Sequence, residues 1–321
     1  MKLFSYPWMA QDTDISVCAH IAVWSIINYY AHRYPNYKIS PIGEIADDTP
    51  QYLSRKTPSE GLNLLQVSEL LSNSGFYPLV LKKRNNQDQD FFRAIYSYIE
   101  SGIPMVAAMT GKEHAVAIIG HGDINTGELS THVDDLIYCA DMVDEYIISN
   151  DNELPFTCVS RYGDDYSFND LDYVIIPLYE KMYLNSHIVY KRVESLIKAG
   201  VLNINEPVVL RVYLTSTRSL KRETLQNRSM NDVLKSTMLK LHTPQFVWCA
   251  DISTTNDYNE KHTTFRIIID STAGTYEDDP WLLIHDDEKI VYKDENKVFK
   301  IDQNIRPYEM YVNNLKEVAK K

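Results

Sequence analysis

The chain has 321 residues, of which 44% are hydrophobic and 24% charged, with a formal net charge of −12 at neutral pH. This length suffices for one or two cores, since domains usually run about 100–200 residues, and the composition excludes a fibrous or disordered chain. No stretch approaches the roughly 18 consecutive apolar residues of a membrane helix, and MKLFSYPWMAQDTD lacks the apolar core of a secretory signal.

The charge is uneven. Residues 1–180 carry 11 Lys and Arg against 25 Asp and Glu, and the remainder 21 against 19. An acidic first half repels phosphate backbones, so no nucleic-acid partner is expected, whereas a neutral or basic peptide is compatible with it. Four cysteines, Cys18, Cys139, Cys158 and Cys249, stand far apart without a CxxC pair. Such spacing fits a reducing cytoplasm, where a free thiol persists, better than a disulfide scaffold.

In chain order, Ile21, Ala22, Ser25, Ile26 and Tyr29 recur at helical spacing and predict a helix from Cys18 to about Tyr34, with Asp14 or Ser16 as its cap. LNLLQVSELLSNSG predicts a second helix stopped by Gly75. YPLVLKK reads as a strand, DFFRAIYSYIESG as a helix ending at Gly102, and IPMVAAMT and HAVAIIG as an antiparallel hairpin. DDLIYCA, EYIISN and LDYVIIPL are further strands. Helices followed by antiparallel strands indicate an α+β domain over residues 1–180.

From residue 181 the pattern changes. MYLNSHIVYKRVESLIKAG is helical, VVLRVYLT is a strand, and residues 217–241 form a basic, mostly helical segment. FVWCADIST, TTFRIIIDST, WLLIHDDE and KIVYKDE read as strands, giving an accessory α+β domain over residues 181–321.

Chemistry concentrates in the first half. A thiol at a helix N-terminus beside an imidazolium becomes a thiolate nucleophile, and Cys18 meets the first condition. His114 opens an apolar strand stiff enough to hold an imidazole in one orientation. YIISND then supplies an orienting group. Asp151 is preferred because a carboxylate stabilises an imidazolium better than an amide, with Asn150 and Asn152 as its neighbours. The backbone N–H of Cys18 and the side chain of Gln11 are the candidate oxyanion donors.

Gln11, Cys18, His114 and Asp151, in this order, resemble the papain-like cysteine peptidases, especially the bacterial double-glycine (bacteriocin-leader) peptidases; phytochelatin synthases share the arrangement. The upstream glutamine favours this group over transglutaminase-like and arylamine-acetyltransferase-like enzymes, which also order Cys, His and Asp. The resemblance implies a papain-like fold over about the first 180 residues. It assigns Cys18 as nucleophile, His114 as general base and acid, Asp151 as orienter and Gln11 as oxyanion donor. It further implies a cofactor-free thiol hydrolase of peptides or amides, with acyl transfer or non-catalytic peptide binding as the alternatives. Two features depart from the family pattern: Ala19 follows the cysteine, and 37 residues separate His114 from Asp151.

Other chemical-looking residues have plainer readings. Cys139, Cys158 and Cys249 fit packed side chains in apolar strands. His20, two positions past Cys18, points away from it around the helix. The acid pairs at 134–135, 164–165, 278–279 and 286–287 lie in turn-like contexts without calcium-loop spacing and fit solvated turns. The sequence contains no nucleotide-binding or zinc motif.

Overall fold

A computed structural model of the protein describes residues 6–11, 18–49, 61–124, 126, 129, 136–161, 163, 166–295 and 297–312. Asp14 and Ser16, expected to cap the first helix, lie outside these residues.

The elements run α1 (Cys18–Arg33), α2 (Ile42–Asp47), α3 (Leu64–Asn73), β1 (Tyr77–Lys82), α4 (Gln89–Glu100), β2 (Met105–Met109), β3 (His114–His121), β4 (Leu136–Tyr138), β5 (Glu145–Ser149), β6 (Thr157–Ser160) and β7 (Tyr173–Leu178). They continue as α5 (Ser186–Lys198), β8 (Val208–Ser216), α6 (Thr217–Gln226), α7 (Asp232–Lys240), β9 (Phe246–Thr254), α8 (Thr255–Asn259), β10 (His262–Thr263), β11 (Phe265–Asp270), β12 (Trp281–His285), β13 (Lys289–Asp294), β14 (Lys297–Asp302) and β15 (Tyr308–Glu309).

Two compact units result. The first comprises Met1–Phe91, Gly102–Asp123 and Val143–Glu180; the second comprises Phe92–Ser101, Ile124–Met142 and Lys181–Lys321. Residues 1–180 are therefore not one contiguous block, because most of α4 and the whole of β4 group with the second unit.

In the first unit a six-stranded antiparallel sheet has the order β1-β7-β2-β3-β5-β6. α1 is apolar around most of its circumference and is accordingly buried, with Val23, Ile26 and Tyr30 fully enclosed. Its Ala19 and Ala22 meet Ala115 and Ala117 of β3 in one core cluster, where small side chains let helix and strand backbones approach closely. α3 begins with a reciprocal capping box between Asn63 and Gln66, and Gly75 stops it at φ 91°. Tyr37 stacks on Phe76 at 4.6 Å, closing the far end of this core. β2 and β3 form the expected hairpin, with Met109 opposite His114.

The second unit has a mixed seven-stranded sheet, β14-β13-β12-β11-β9-β8-β4, in which β4 joins β8 in parallel. Cross-strand register aligns Arg211, Asp251, Arg266 and His285 in one row over β8, β9, β11 and β12. The basic segment at 217–241 is two helices, because asparagines divide it. Asn227 Oδ1 accepts from the N–H groups of Ser229 and Met230, and Asn231 Oδ1 caps α7 through Val233 and Leu234. Leu220, Leu234 and Met238 on these helices pack into the unit's core.

Two plain readings are corrected. Cys158 is exposed on the edge strand β6, while Cys139 and Cys249 are buried as expected. Asp286 is fully buried and accepts from the N–H groups of Glu288 and Lys289, so it ties its turn from within. Asp278 and Asp279 are exposed, and the pairs at 134–135 and 164–165 lie outside the described residues. Among the described residues no group of three metal-ligating side chains could hold an ion. None of the described helices is long and apolar enough to cross a membrane.

Candidate active site

β3 begins at His114 because the residue before it turns the chain sharply. Glu113 adopts φ 51° and ends a short turn over Thr110–Lys112. That turn is pinned by Asp172, whose carboxylate accepts from the Thr110 N–H at 2.8 Å and from its hydroxyl. The imidazole is thus carried at the rigid end of a strand whose following residues, Ala115 to Ile118, are buried.

His114 Nε2 donates to Asn150 Oδ1 at 3.0 Å. The same oxygen accepts the N–H of Asn152 at 3.1 Å, so both of its lone pairs are used and the amide is fixed with oxygen toward the ring. With its proton on Nε2, the ring leaves a bare lone pair on Nδ1, the nitrogen a general base needs. Asn150 is itself wholly enclosed, and its carbonyl accepts from the Trp8 indole at 2.8 Å.

Asp151, the expected orienter, stands 3.8 Å from His114 Nε2, beyond hydrogen-bond reach. The direct partner is its neighbour Asn150. β5 pairs with β3 through Ser149 opposite Ala117, which brings the residue just past the strand end to the ring. Both Asp151 carboxylate oxygens are buried with no hydrogen-bond partner among the described residues. Burial raises this carboxyl above its usual range, outweighing the influence of its own backbone N–H and the attraction of His114.

Cys18 lies in the same unit at the first turn of α1, half-buried. The nearby backbone N–H groups of Ala115, Ala19 and Cys18 itself bear on the thiol, as does the charge of Asp151. The donors favour a thiolate. Burial disfavours it more strongly, with Asp151 adding to that, so the thiol sits above its ordinary value. The helix start therefore does not by itself lower this thiol, contrary to the expectation drawn from the sequence.

Gln11 is exposed, and no hydrogen bond ties its side chain to another described residue. His20 is buried against Thr49 at 3.3 Å, away from the chemistry, and burial lowers it to about 4. Three residues near the imidazole carry no motif signal of their own. Trp8 holds Asn150, Tyr166 packs on the ring of His114 at 5.4 Å between centroids, and Lys112 lies over Tyr166 at 4.9 Å.

Two solved structures resemble the chain, each over 54% of its length. One is a double-glycine-motif protease from an AMS/PCAT transporter in complex with the leader peptide, at 14% identity, 92% coverage of that chain and a TM-score of 0.32. The other is the peptidase domain of Streptococcus ComA, a bifunctional ABC transporter of a quorum-sensing pathway, at 18% identity, 99% coverage and a TM-score of 0.35. No protein-family description and no curated protein matches the chain. At these identities and scores the likeness carries no argument about activity, which rests on the residues themselves.

Proposed function

We propose that the first unit is a papain-like thiol hydrolase that cleaves a peptide or amide bond through an acyl-enzyme on Cys18. The observation that carries this reading is the His114–Asn150 hydrogen bond, which fixes a base tautomer at the start of the strand whose next residue, Ala115, favours the Cys18 thiolate through its backbone N–H. His114 Nδ1 takes the thiol proton as Sγ attacks the carbonyl carbon. The N–H groups of Cys18 and Ala19 are the donors for the developing oxyanion. His114 then returns the proton to the departing amine, and water, deprotonated by the same ring, releases the acid. Asp151 stabilises the transient imidazolium by its charge without bonding to it.

Because the thiol rests neutral, proton transfer accompanies attack, as for a serine nucleophile. The proposed substrate is a neutral or basic peptide segment, and the free cysteines suit a reducing compartment such as the cytoplasm. A second reading, a peptide-binding scaffold without catalysis, is favoured by the raised thiol. Treatment with a peptidyl epoxide followed by peptide mapping separates the two. Hydrolysis predicts an adduct on Cys18 that disappears in His114→Ala. A scaffold predicts modification of exposed Cys158 alone.

A further inference from the structure

Tyr166 has one of the few left-handed backbones outside glycine, at φ 51°. Such a conformation costs a bulky residue about 1–3 kcal/mol and persists only where surrounding contacts hold it. Those contacts converge on the imidazole. The Tyr166 ring meets the His114 ring at 5.4 Å and 56°. The Lys112 ammonium lies 4.9 Å from the Tyr166 ring centre and pairs with Asp170 at 2.8 Å. Lys112 and Glu113 immediately precede His114, and Glu113 is also left-handed. Left-handed backbone thus occurs both just before His114, at Glu113, and at the tyrosine whose ring meets the imidazole, and the His114 side chain is left only 8% exposed.

A histidine held by one hydrogen bond can still swing about its Cβ–Cγ bond and lose its alignment. The Nε2–Asn150 bond fixes one point of the ring; an aromatic face packed against it fixes the plane. We propose that Tyr166 is a positioning residue for His114, locking the imidazole so that Nδ1 faces the thiol while Nε2 keeps its bond to Asn150. This rests on the hydrolase reading above. The ring does the work and the hydroxyl does not. Tyr166 touches the base rather than the reacting atoms, and Lys112 with Asp170 holds the tyrosine in place.

The test is acetylation of Cys18 by p-nitrophenyl acetate, followed by p-nitrophenolate release and by mass spectrometry, alongside the ring-nitrogen NMR shifts of His114. Tyr166→Phe is expected to match the wild type in both. Tyr166→Ala is expected to slow acetylation about tenfold to hundredfold, the scale of a misplacement of about 1 Å. Its His114 shifts should move toward a mixture of tautomers. Tyr166→Leu fills most of the space without an aromatic face and should behave like the alanine variant, which keeps the test valid if alanine unfolds the unit. Wild-type rates with unchanged ring shifts in Tyr166→Leu overturn the proposal while leaving the hydrolase reading intact. Failure of the wild type itself to acetylate Cys18 overturns both.

Discussion

Each unit buries carboxylates beside cationic or ionisable partners, and the two treat them in opposite ways. In the second unit Asp251 is bound on both oxygens: Arg266 Nε donates at 2.5 Å, Arg266 Nη2 at 3.0 Å and the Tyr213 hydroxyl at 2.9 Å. Arg211, next in the row, donates to Glu100 at 2.8 Å and to the Tyr311 carbonyl at 2.8 Å. In the first unit Asp151 is buried to a similar depth, yet neither oxygen has a hydrogen bond among the described residues, and the imidazole of His114 stands 3.8 Å away. A buried charge bonded on both oxygens is an element of architecture. One left with charge but no bond, next to a bare imidazole nitrogen and a thiol, costs stability that packing elsewhere must offset. Sites of reaction are where folds tolerate such a cost.

Mutations at the two carboxylates and their neighbours should therefore diverge. The largest effect belongs to chemistry. Cys18→Ala should abolish acyl-enzyme formation, and His114→Ala should reduce it by about 10²–10⁴, the usual contribution of a positioned base. Next comes architecture: Asp251→Ala removes the doubly bonded partner of Arg266 in the core, leaving it Glu223 at 3.9 Å, and should cost about 3–5 kcal/mol, read from the urea midpoint. An effect below about 1 kcal/mol would show that the row is not a coupled unit.

Asn150→Ala should lower acylation roughly tenfold to hundredfold with little change in melting temperature, since it frees the ring without stranding a charge. The fully buried His285, held down to about 4 by burial, makes a different kind of contribution. The unfolded chain takes up its proton near pH 6.5, the folded chain only near 4. Stability is therefore complete above the unfolded value and lost as pH falls between the two. His285→Gln, which keeps a group able to reach the Tyr308 hydroxyl, should flatten that part of the melting curve against pH.

The smallest effect has the opposite sign. Asp151 has a raised carboxyl, so its ionised form burdens the folded state at neutral pH. Asp151→Asn should stabilise the protein there by about 1 kcal/mol, and the gain should vanish as pH falls below the carboxylate range. The same variant should slow acylation by withdrawing support from the imidazolium. Simultaneous stabilisation and slowing would mark Asp151 as a functional charge; destabilisation at neutral pH would place it with Asp251.

How much of this was legible in the sequence follows from which interactions are local. α1, α3, β1, α4, β2 and β3 were legible because their apolar periodicity, and the helix stops at Gly75 and Gly102, are written in contiguous residues. The choice between Asn150 and Asp151 was not. It turns on a register between β3 and β5 that includes a shift between Ile118 and Gly120, where a Cβ on Gly120 would stand 3.3 Å from Ile147. Ranking the two by intrinsic strength of interaction with an imidazolium chose the carboxylate; geometry gives the bond to the amide. Similarly, a cysteine at a helix start promises a lowered thiol, but the balance among burial, the Ala115 N–H and the Asp151 charge is set by the fold, far along the chain from Cys18. β6 and β14 escaped notice because edge strands with exposed side chains lack the apolar run that marks a core strand. Trp8 and Tyr166 carry no pattern at all; only the folded chain shows what they touch.

The central claim is that a neutral Cys18 is activated by proton transfer to His114 during attack. It is tested most directly by the solvent isotope effect on Cys18 acetylation, with exposed Cys158 as the internal reference. Concerted transfer predicts that acetylation at Cys18 is markedly slower in D2O than in H2O, and that this sensitivity disappears with the rate in His114→Ala. Equal rates in the two solvents at Cys18, or a rate no greater than at Cys158, would contradict the account.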